Sequence, residues 1–153
     1  MSTNSEGGVP EKLILECLLR PTSINQEQLD ALGEESWAAI ITRLRAHRVL
    51  PYLHYALVEQ AKLTLPRQVE KALVTSAQQW GARQLMLGRE CVIMHQAFLA
   101  KDIPHLFLKG TPLAFANYQS PRLRPAQDVD ILLRREDLAE ARKCIAELGG
   151  GVI

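Results

Sequence analysis

Apolar residues recur at helical spacing through the first sixty positions of the chain, between short polar breaks. The first such stripe ends at Pro21, a residue that cannot continue a helix. A longer stripe follows Glu34 and Glu35, two acids placed where a helix dipole favours negative charge. The pattern predicts helices over 11–20, 26–32, 34–47 and 52–62, with inward positions Leu13, Ile14, Cys17, Leu18, Trp37, Ile40, Ile41, Leu44, Leu53, Ala56 and Leu57.

One long helical pattern follows Pro66, which suits a first helical turn because its missing N–H costs nothing there. The pattern extends to Ala100, and Gly81 and Gly88 are the positions where we expect a break or a bend. Apolar residues four, three and four positions apart predict a packed face in its later half: Leu87, Cys91, Met94 and Phe98. The first hundred residues therefore predict a helical assembly that carries no visible chemistry.

The pattern changes after Lys101. A short apolar run over 103–108 predicts a strand, and Thr111-Pro112 predicts a helix opening with a hydroxyl N-cap and proline at the first helical position. That helix is expected to reach Tyr118. A loop with two prolines should follow. The remaining predicted elements are a strand over Val129–Leu133, a helix over Asp137–Leu148 and the start of a third strand at Val152-Ile153.

Composition narrows the classes of protein that the chain represents. With 47% hydrophobic and 23% charged residues, 153 residues are enough for a globular core. A net charge of +1 disfavours nucleic acid as a partner, because it provides no broad positive field. Three widely spaced cysteines without a CxxC pair favour a reducing compartment. Without a signal peptide pattern or an apolar run long enough to span a membrane, we expect a soluble, cytoplasmic protein.

Asp128 and Asp130 are the first candidates for chemistry. Two residues apart in a strand, they would project from the same face, with α-carbons about 6–7 Å apart. Such carboxylates suit Mg²⁺, which takes oxygen ligands and is commonly held by one or two carboxylates together with substrate phosphates. The alternative is a solvated strand start. Two acids on one face repel each other, however, and they contribute nothing to a core.

Gly110 and Thr111 are the second candidates. Glycine allows a ligand to approach the backbone, and free N–H groups at the following helix start attract an anion. Lys109 and Arg124 add positive charge that phosphate would need. Alternatively, Gly110 and Thr111 form an ordinary strand–turn–helix junction, and Lys109 and Arg124 are simply exposed to solvent.

The order of these parts resembles the DNA polymerase β-like nucleotidyltransferase superfamily: strand, glycine with a hydroxylated residue, helix, then a strand with Asp-x-Asp. More narrowly, the Leu108-Lys109-Gly110 element, Tyr118 and the segment 124–133 resemble a bacterial family of uncharacterised nucleotidyltransferases. The resemblance implies an α+β fold that is predominantly helical, with a flexible tail over 1–10, a helical region over 11–82 and a partial nucleotidyltransferase core over 83–153.

The resemblance also implies roles for individual residues. Asp128 and Asp130 become catalytic ligands of Mg²⁺ or Mn²⁺, and Gly110 and Thr111 become contacts to a nucleoside triphosphate. Lys109 and Arg124 match family positions that contact phosphate or support the structure. The implied reaction transfers a nucleoside monophosphate to an acceptor hydroxyl on a small molecule or a protein.

Two departures from the superfamily pattern qualify this expectation. Seventeen residues separate Gly110 from Asp128, and no acid after Asp130 lies where a third strand would supply a third carboxylate. We therefore expect a truncated chain with weak or no turnover, and an open sheet edge that favours self-association. The alternative is a non-catalytic helical binding or scaffold module with a vestigial nucleotidyltransferase fold.

Overall fold

The computed structural model describes residues 11–149, with side chains described from residue 15 onward except at residue 22. The tail predicted over 1–10 and the strand start predicted at Val152-Ile153 lie outside these residues. Two compact units divide the chain, an N-terminal unit over 1–80 and a C-terminal unit over 81–153. The boundary predicted from the sequence, between residues 82 and 83, falls within a long helix, Arg67–Ala100.

The N-terminal unit is helical throughout its described part. Its first four α-helices are α1 (Glu11–Leu19), α2 (Gln26–Asp30), α3 (Glu34–Ala46) and α4 (Leu50–His54). A 3₁₀ turn occupies Pro21–Ser23, and a π-helical segment, Tyr55–Gln60, continues α4. The region predicted as a helix over 52–62 is therefore helical through Gln60, but from Tyr55 it is a π-helix, in which backbone hydrogen bonds join residues five positions apart.

Helix α2 begins with a capping box at Asn25. Its side chain accepts a hydrogen bond from the Gln28 backbone N–H, while the Gln28 side chain accepts one from the Asn25 backbone. Two N–H groups that the helix leaves without partners are thereby satisfied. The two bonds explain why a helix of only five residues begins sharply at Gln26.

A core of buried apolar side chains holds the N-terminal unit together. The predicted inward positions Trp37, Ile40 and Leu44 of α3 are buried, as are Leu53 of α4 and Ala56 and Leu57 of the π-helical segment. Each fully buried side chain of this kind contributes about 1.5–3 kcal/mol of transfer free energy. Apart from Ala56, these residues belong to one cluster of twelve, whose other members are Cys17, Ile24, Leu29, Leu50, Leu65, Val69 and Leu73.

Helix α5 (Arg67–Ala100) is continuous over 34 residues, so the helix does not break at Gly81 or Gly88. Gly88 has a packing reason instead. A Cβ at this position would lie 2.7 Å from Cζ of Phe115, so the missing side chain makes room for that ring. Across the described residues, no helix, α5 included, combines the length and the apolar character needed to cross a membrane.

The C-terminal unit places a small sheet among helices. Strands β1 (His105–Leu108) and β2 (Asp130–Leu133) pair antiparallel, with Leu108 opposite Asp130 and His105 opposite Leu133. Helix α6 (Gly110–Asn117) follows β1, and α7 (Leu138–Glu147) follows β2 after a 3₁₀ turn. Phe98, Ile103, Ala141 and Cys144 form its buried cluster. The fold is thus predominantly helical with a small β-sheet, as the α+β prediction states.

Two expected boundaries in this unit are wrong, and both concern candidate residues. Helix α6 begins at Gly110, with Lys109 at the N-cap position, so Thr111 lies inside the first turn and does not cap the helix. Strand β2 begins at Asp130, so Asp128 lies in the bend before it. The chain turns into a helix sooner than expected because Lys109 and Gly110 both adopt positive φ.

Candidate functional site

The register of the sheet brings two of the predicted residues into contact. Because Leu108 at the end of β1 lies opposite Asp130 at the start of β2, the next residue, Lys109, is carried toward the aspartate. Lys109 Nζ lies 3.2 Å from Asp130 Oδ2, and the Asp130 side chain is about two-thirds buried. A lysine ammonium group thus pairs with one oxygen of a partly buried carboxylate.

The turn after β1 is strained at Lys109. Its φ of 34° and ψ of −151° fall outside the regions that side-chain-bearing residues favour, and Gly110 follows with φ of 43°. Strain of this kind typically costs about 1–3 kcal/mol and clusters at functional sites.

Gly110 lies against the segment that precedes β2. A Cβ at this position would lie 3.4 Å from the Ala126 Cβ and 3.6 Å from the Asp128 carbonyl oxygen. A side chain would make ordinary van der Waals contacts there, so glycine is favoured at this position by its positive φ. The glycine turn and the aspartate segment are thereby brought together, with Asp128 itself exposed.

Arg83 and Gln84 of α5 hold the segment before β2 in place, and neither residue was predicted from the sequence. Gln84 is fully buried, and its Nε2 donates to the Ala126 carbonyl oxygen at 2.9 Å. Arg83 donates from a guanidinium nitrogen to the Gln127 carbonyl oxygen at 2.8 Å. Together they fix the backbone directly before Asp128. The only signal for Gln84 in the sequence was its position three residues before Leu87, which continues the packed face predicted for this helix.

Thr111 is buried inside the first turn of α6, and Arg124 contacts Tyr118. Thr111 is only 1% exposed, and its Oγ1 has no hydrogen-bond partner within the part of the chain that the structure describes. Arg124 donates to the Tyr118 hydroxyl at 3.4 Å, and its guanidinium carbon lies 5.8 Å from the centre of that ring. Its contacts therefore lie within the loop that joins α6 to β2.

The carboxylate oxygens of Asp128 and Asp130 suit a hard cation whose remaining ligands come from a substrate. Within residues 11–149, no cluster of three or more His, Cys, Asp or Glu side chains is arranged to hold a metal ion. Asp128 and Asp130 nevertheless supply oxygen donors, and Asp130 already accepts the Lys109 ammonium. One or two carboxylates with phosphate oxygens are a usual Mg²⁺ environment. The two aspartates thus fit a magnesium–nucleotide complex in chemistry.

Comparison with protein families identifies one match. A family model described as "Uncharacterised nucleotidyltransferase" matches residues 33–150, which is most of the chain. The match spans α3 through α7 and includes the Lys109–Gly110 turn and both aspartates. No curated protein and no solved structure matches significantly.

Proposed function

Since the chain belongs to the uncharacterised nucleotidyltransferase family, we propose that it transfers a nucleoside monophosphate from a nucleoside triphosphate to an acceptor hydroxyl. Asp128 and Asp130 would hold Mg²⁺ or Mn²⁺, and the turn at Lys109 and Gly110 would receive the triphosphate. The observation that carries the proposal is the contact between the end of β1 and the start of β2. There the Lys109 ammonium and the Asp130 carboxylate lie 3.2 Å apart.

The residues of the turn suit the binding of phosphate. Gly110 has no side chain to obstruct an anion, and the first N–H groups of α6 begin at this residue. The Lys109 ammonium would exchange part of its contact with Asp130 for a phosphate oxygen when the nucleotide binds. This exchange would free the carboxylate at the moment when the cation arrives with the nucleotide.

The reaction is an in-line displacement at the α-phosphorus. The acceptor oxygen forms a bond to this phosphorus, and the bond from the phosphorus to the oxygen that bridges to the β-phosphate breaks. Pyrophosphate leaves with the electron pair, and the hydroxyl proton passes to water. The bound cation would supply charge neutralisation on the phosphates. The chain's own contribution is positioning: Arg83 and Gln84 fix the segment before Asp128, and Lys109 orients the phosphates.

A thermal-shift titration with ATP, CTP, GTP and UTP, each with and without Mg²⁺, tests the proposal. A ligand at 100 times its Kd stabilises a protein by about 2.7 kcal/mol, a shift of several degrees. We expect at least one nucleotide to raise Tm in a Mg²⁺-dependent manner, and Asp130→Asn to remove that rise. Glu136→Gln, at an exposed acid after β2, is the matched control and should retain it.

One observation favours a second candidate, a non-catalytic helical module with a vestigial nucleotidyltransferase fold. The Lys109–Asp130 ion pair is itself a satisfied contact, and it requires no ligand. If the pair is only structural, Asp130→Asn and Lys109→Met should lower Tm without any change in nucleotide response. Absence of a Mg²⁺-dependent shift with all four nucleotides would contradict the first candidate and support the second. Pyrophosphate release with a hydroxyl acceptor would contradict the second.

A further inference from the structure

A cavity of about 520 Å³ lies in the C-terminal unit, between the second half of α5, strand β1 and the start of α6. Pockets that bind small molecules commonly measure about 300–1,000 Å³ and are mainly apolar with a few polar groups. The lining here follows that pattern. Leu85, Val92, Phe107 and Phe115 are among its apolar lining residues, and the lining residues with polar side chains include Arg89, His95 and Thr111.

Thr111 is the first observation that points to a ligand. Its side chain is 1% exposed and lines the cavity, yet its hydroxyl has no partner among the described residues. Burial of a hydroxyl without a hydrogen bond costs about 1–3 kcal/mol by mutational measurements. A ligand with a polar group beside Thr111 would supply the missing bond.

His95 is the second observation, and its hydrogen-bond network assigns its tautomer. His105 Nδ1 lies 2.8 Å from the Ile103 carbonyl oxygen, so this nitrogen carries a hydrogen and donates it. In the neutral pair, His105 Nε2 then accepts from His95 Nδ1, also at 2.8 Å. The remaining nitrogen of His95, Nε2, is therefore a hydrogen-bond acceptor. The mainly apolar lining of the cavity thus includes a threonine whose hydroxyl lacks a partner among the described residues and a histidine whose Nε2 is an acceptor.

We propose that this cavity binds the acceptor substrate, a small and largely apolar molecule that carries a hydroxyl group. Thr111 directly follows Gly110, whose missing side chain leaves room beside the Asp128 carbonyl oxygen. The hydroxyl end of the cavity therefore adjoins the turn assigned to the triphosphate. The role of this molecule as the acceptor rests on the proposed function. Its binding rests on the cavity alone.

Titrations with 1-naphthol and naphthalene, without nucleotide or metal, test the binding. The two probes share an apolar body and differ in the hydroxyl group. Val92 lines the cavity and is 56% exposed, so Val92→Trp should occupy the cavity without disturbing the fold. We expect this variant to weaken both probes at least about tenfold, since one lost contact of 1.4 kcal/mol already has that effect. Leu99→Trp is the matched control, because Leu99 is similarly exposed on the same helix and does not line the cavity.

Thr111→Val tests the hydroxyl contact separately. It should weaken 1-naphthol about fivefold, the size of one ordinary hydrogen bond, and leave naphthalene within about twofold. Failure of both probes to bind, or binding that Val92→Trp leaves intact, overturns the inference. If 1-naphthol binds as described but nucleotides give no Mg²⁺-dependent shift, the acceptor assignment falls with the proposed function. If nucleotides bind and neither probe does, only the cavity assignment falls.

Discussion

The two units of the chain use their apolar residues in opposite ways. In the N-terminal unit, twelve buried residues form one core, and only Leu15 and Leu19 are large apolar side chains left exposed in its described part. In the C-terminal unit, the buried cluster has four residues, while thirteen large apolar or aromatic side chains are exposed among the described residues. All of the predicted site residues belong to this second unit, which has the smaller buried cluster.

This difference separates stability from chemistry within one chain. A dense core resists change, because removal of even one methylene group is felt by its neighbours. A region with few buried apolar contacts opens locally more readily, and ligand-binding segments are drawn from such regions. Both units contain side-chain-bearing residues at positive φ and buried polar atoms without a partner among the described residues, so the division rests on the apolar cores alone. The following predictions test whether this division is real.

The largest expected difference concerns two leucines. Leu57 is fully buried in the N-terminal core, so Leu57→Ala should lower the free energy of unfolding by about 2–5 kcal/mol. Leu132 in β2 is 56% exposed, so Leu132→Ala should cost less than about 1 kcal/mol. Urea denaturation followed by circular dichroism measures both. Equal losses in the two variants would contradict the contrast between the units.

Two glutamines provide the next comparison, since each bonds a backbone carbonyl of a distant segment. Gln26 bonds both the Thr64 carbonyl oxygen and the Thr64 N–H, and Gln84 bonds the Ala126 carbonyl oxygen. Gln26→Ala and Gln84→Leu should each cost about 1–2 kcal/mol of unfolding free energy. Only Gln84→Leu should also weaken nucleotide binding, by about fivefold, because it releases the segment before Asp128. Calorimetric titration separates the two effects, and weakened binding in Gln26→Ala would argue against the division.

Thr111→Val should stabilise the free protein. The substitution keeps the shape of the side chain and removes a buried hydroxyl that has no partner in the described chain, so we expect a gain of about 1 kcal/mol. Thermal unfolding without ligand measures it. Together with weaker 1-naphthol binding, this gain would show a residue that serves binding at a cost to stability. A marked loss of stability would mean that the hydroxyl has a partner in the free protein.

The smallest expected effect concerns the exposed ion pairs that join the end of α5 to α7. Lys101 Nζ lies 3.1 Å from Glu140 Oε1 and 3.3 Å from Glu147 Oε2. Hydrogen bonds to Glu140 and then Glu147 raise the pKa of Lys101, and the hydrogen bond from Lys101 lowers the pKa of Glu140. Because these groups are solvent-exposed, Lys101→Met should lower Tm by no more than about 3 °C.

The pH dependence of this difference follows from the two shifts. The Glu140 contribution is present above the ordinary carboxyl pKa and is lost as pH falls through its lowered value. The Lys101 contribution is present below its ordinary pKa of 10.5 and is lost as pH rises through its raised value. The Tm difference should therefore be largest between about pH 5 and pH 10 and shrink in 1 M salt. A difference that persists at pH 2 or in high salt would indicate packing by the lysine stem.

Much of the helical framework could be predicted because it depends on local signals. Pro21 ends the pattern of α1, and the stripe of Trp37, Ile40 and Leu44 identifies the buried face of α3. The capping box at Asn25 also has a sequence signal, an Asn followed three residues later by Gln, although it was not recognised. The π-helical widening after α4 has no comparable signal, since it depends on how neighbouring side chains pack.

The details of the candidate site were less predictable because they depend on contacts between distant segments. Asp128 and Asp130 were identified as a pair, but strand alternation applies to Asp130 alone, since β2 begins there. The last helix shows the same limit. Helical spacing would place Leu138, Ala141, Ile145 and Leu148 on one face, yet Leu138 and Leu148 are exposed and Cys144 is buried. Periodicity locates a helix, but its partners decide which of several small apolar residues turn inward.

The two-stranded sheet has a consequence for amide hydrogen exchange. In an antiparallel ribbon, alternate residues bond across the pair and the others direct their N–H groups outward. Among the described residues β1 and β2 pair only with each other, over four positions, so about half of their amides lack a strand partner. The outward amides of β1 and β2 should therefore exchange their hydrogens well before the amides within the helices of the N-terminal core.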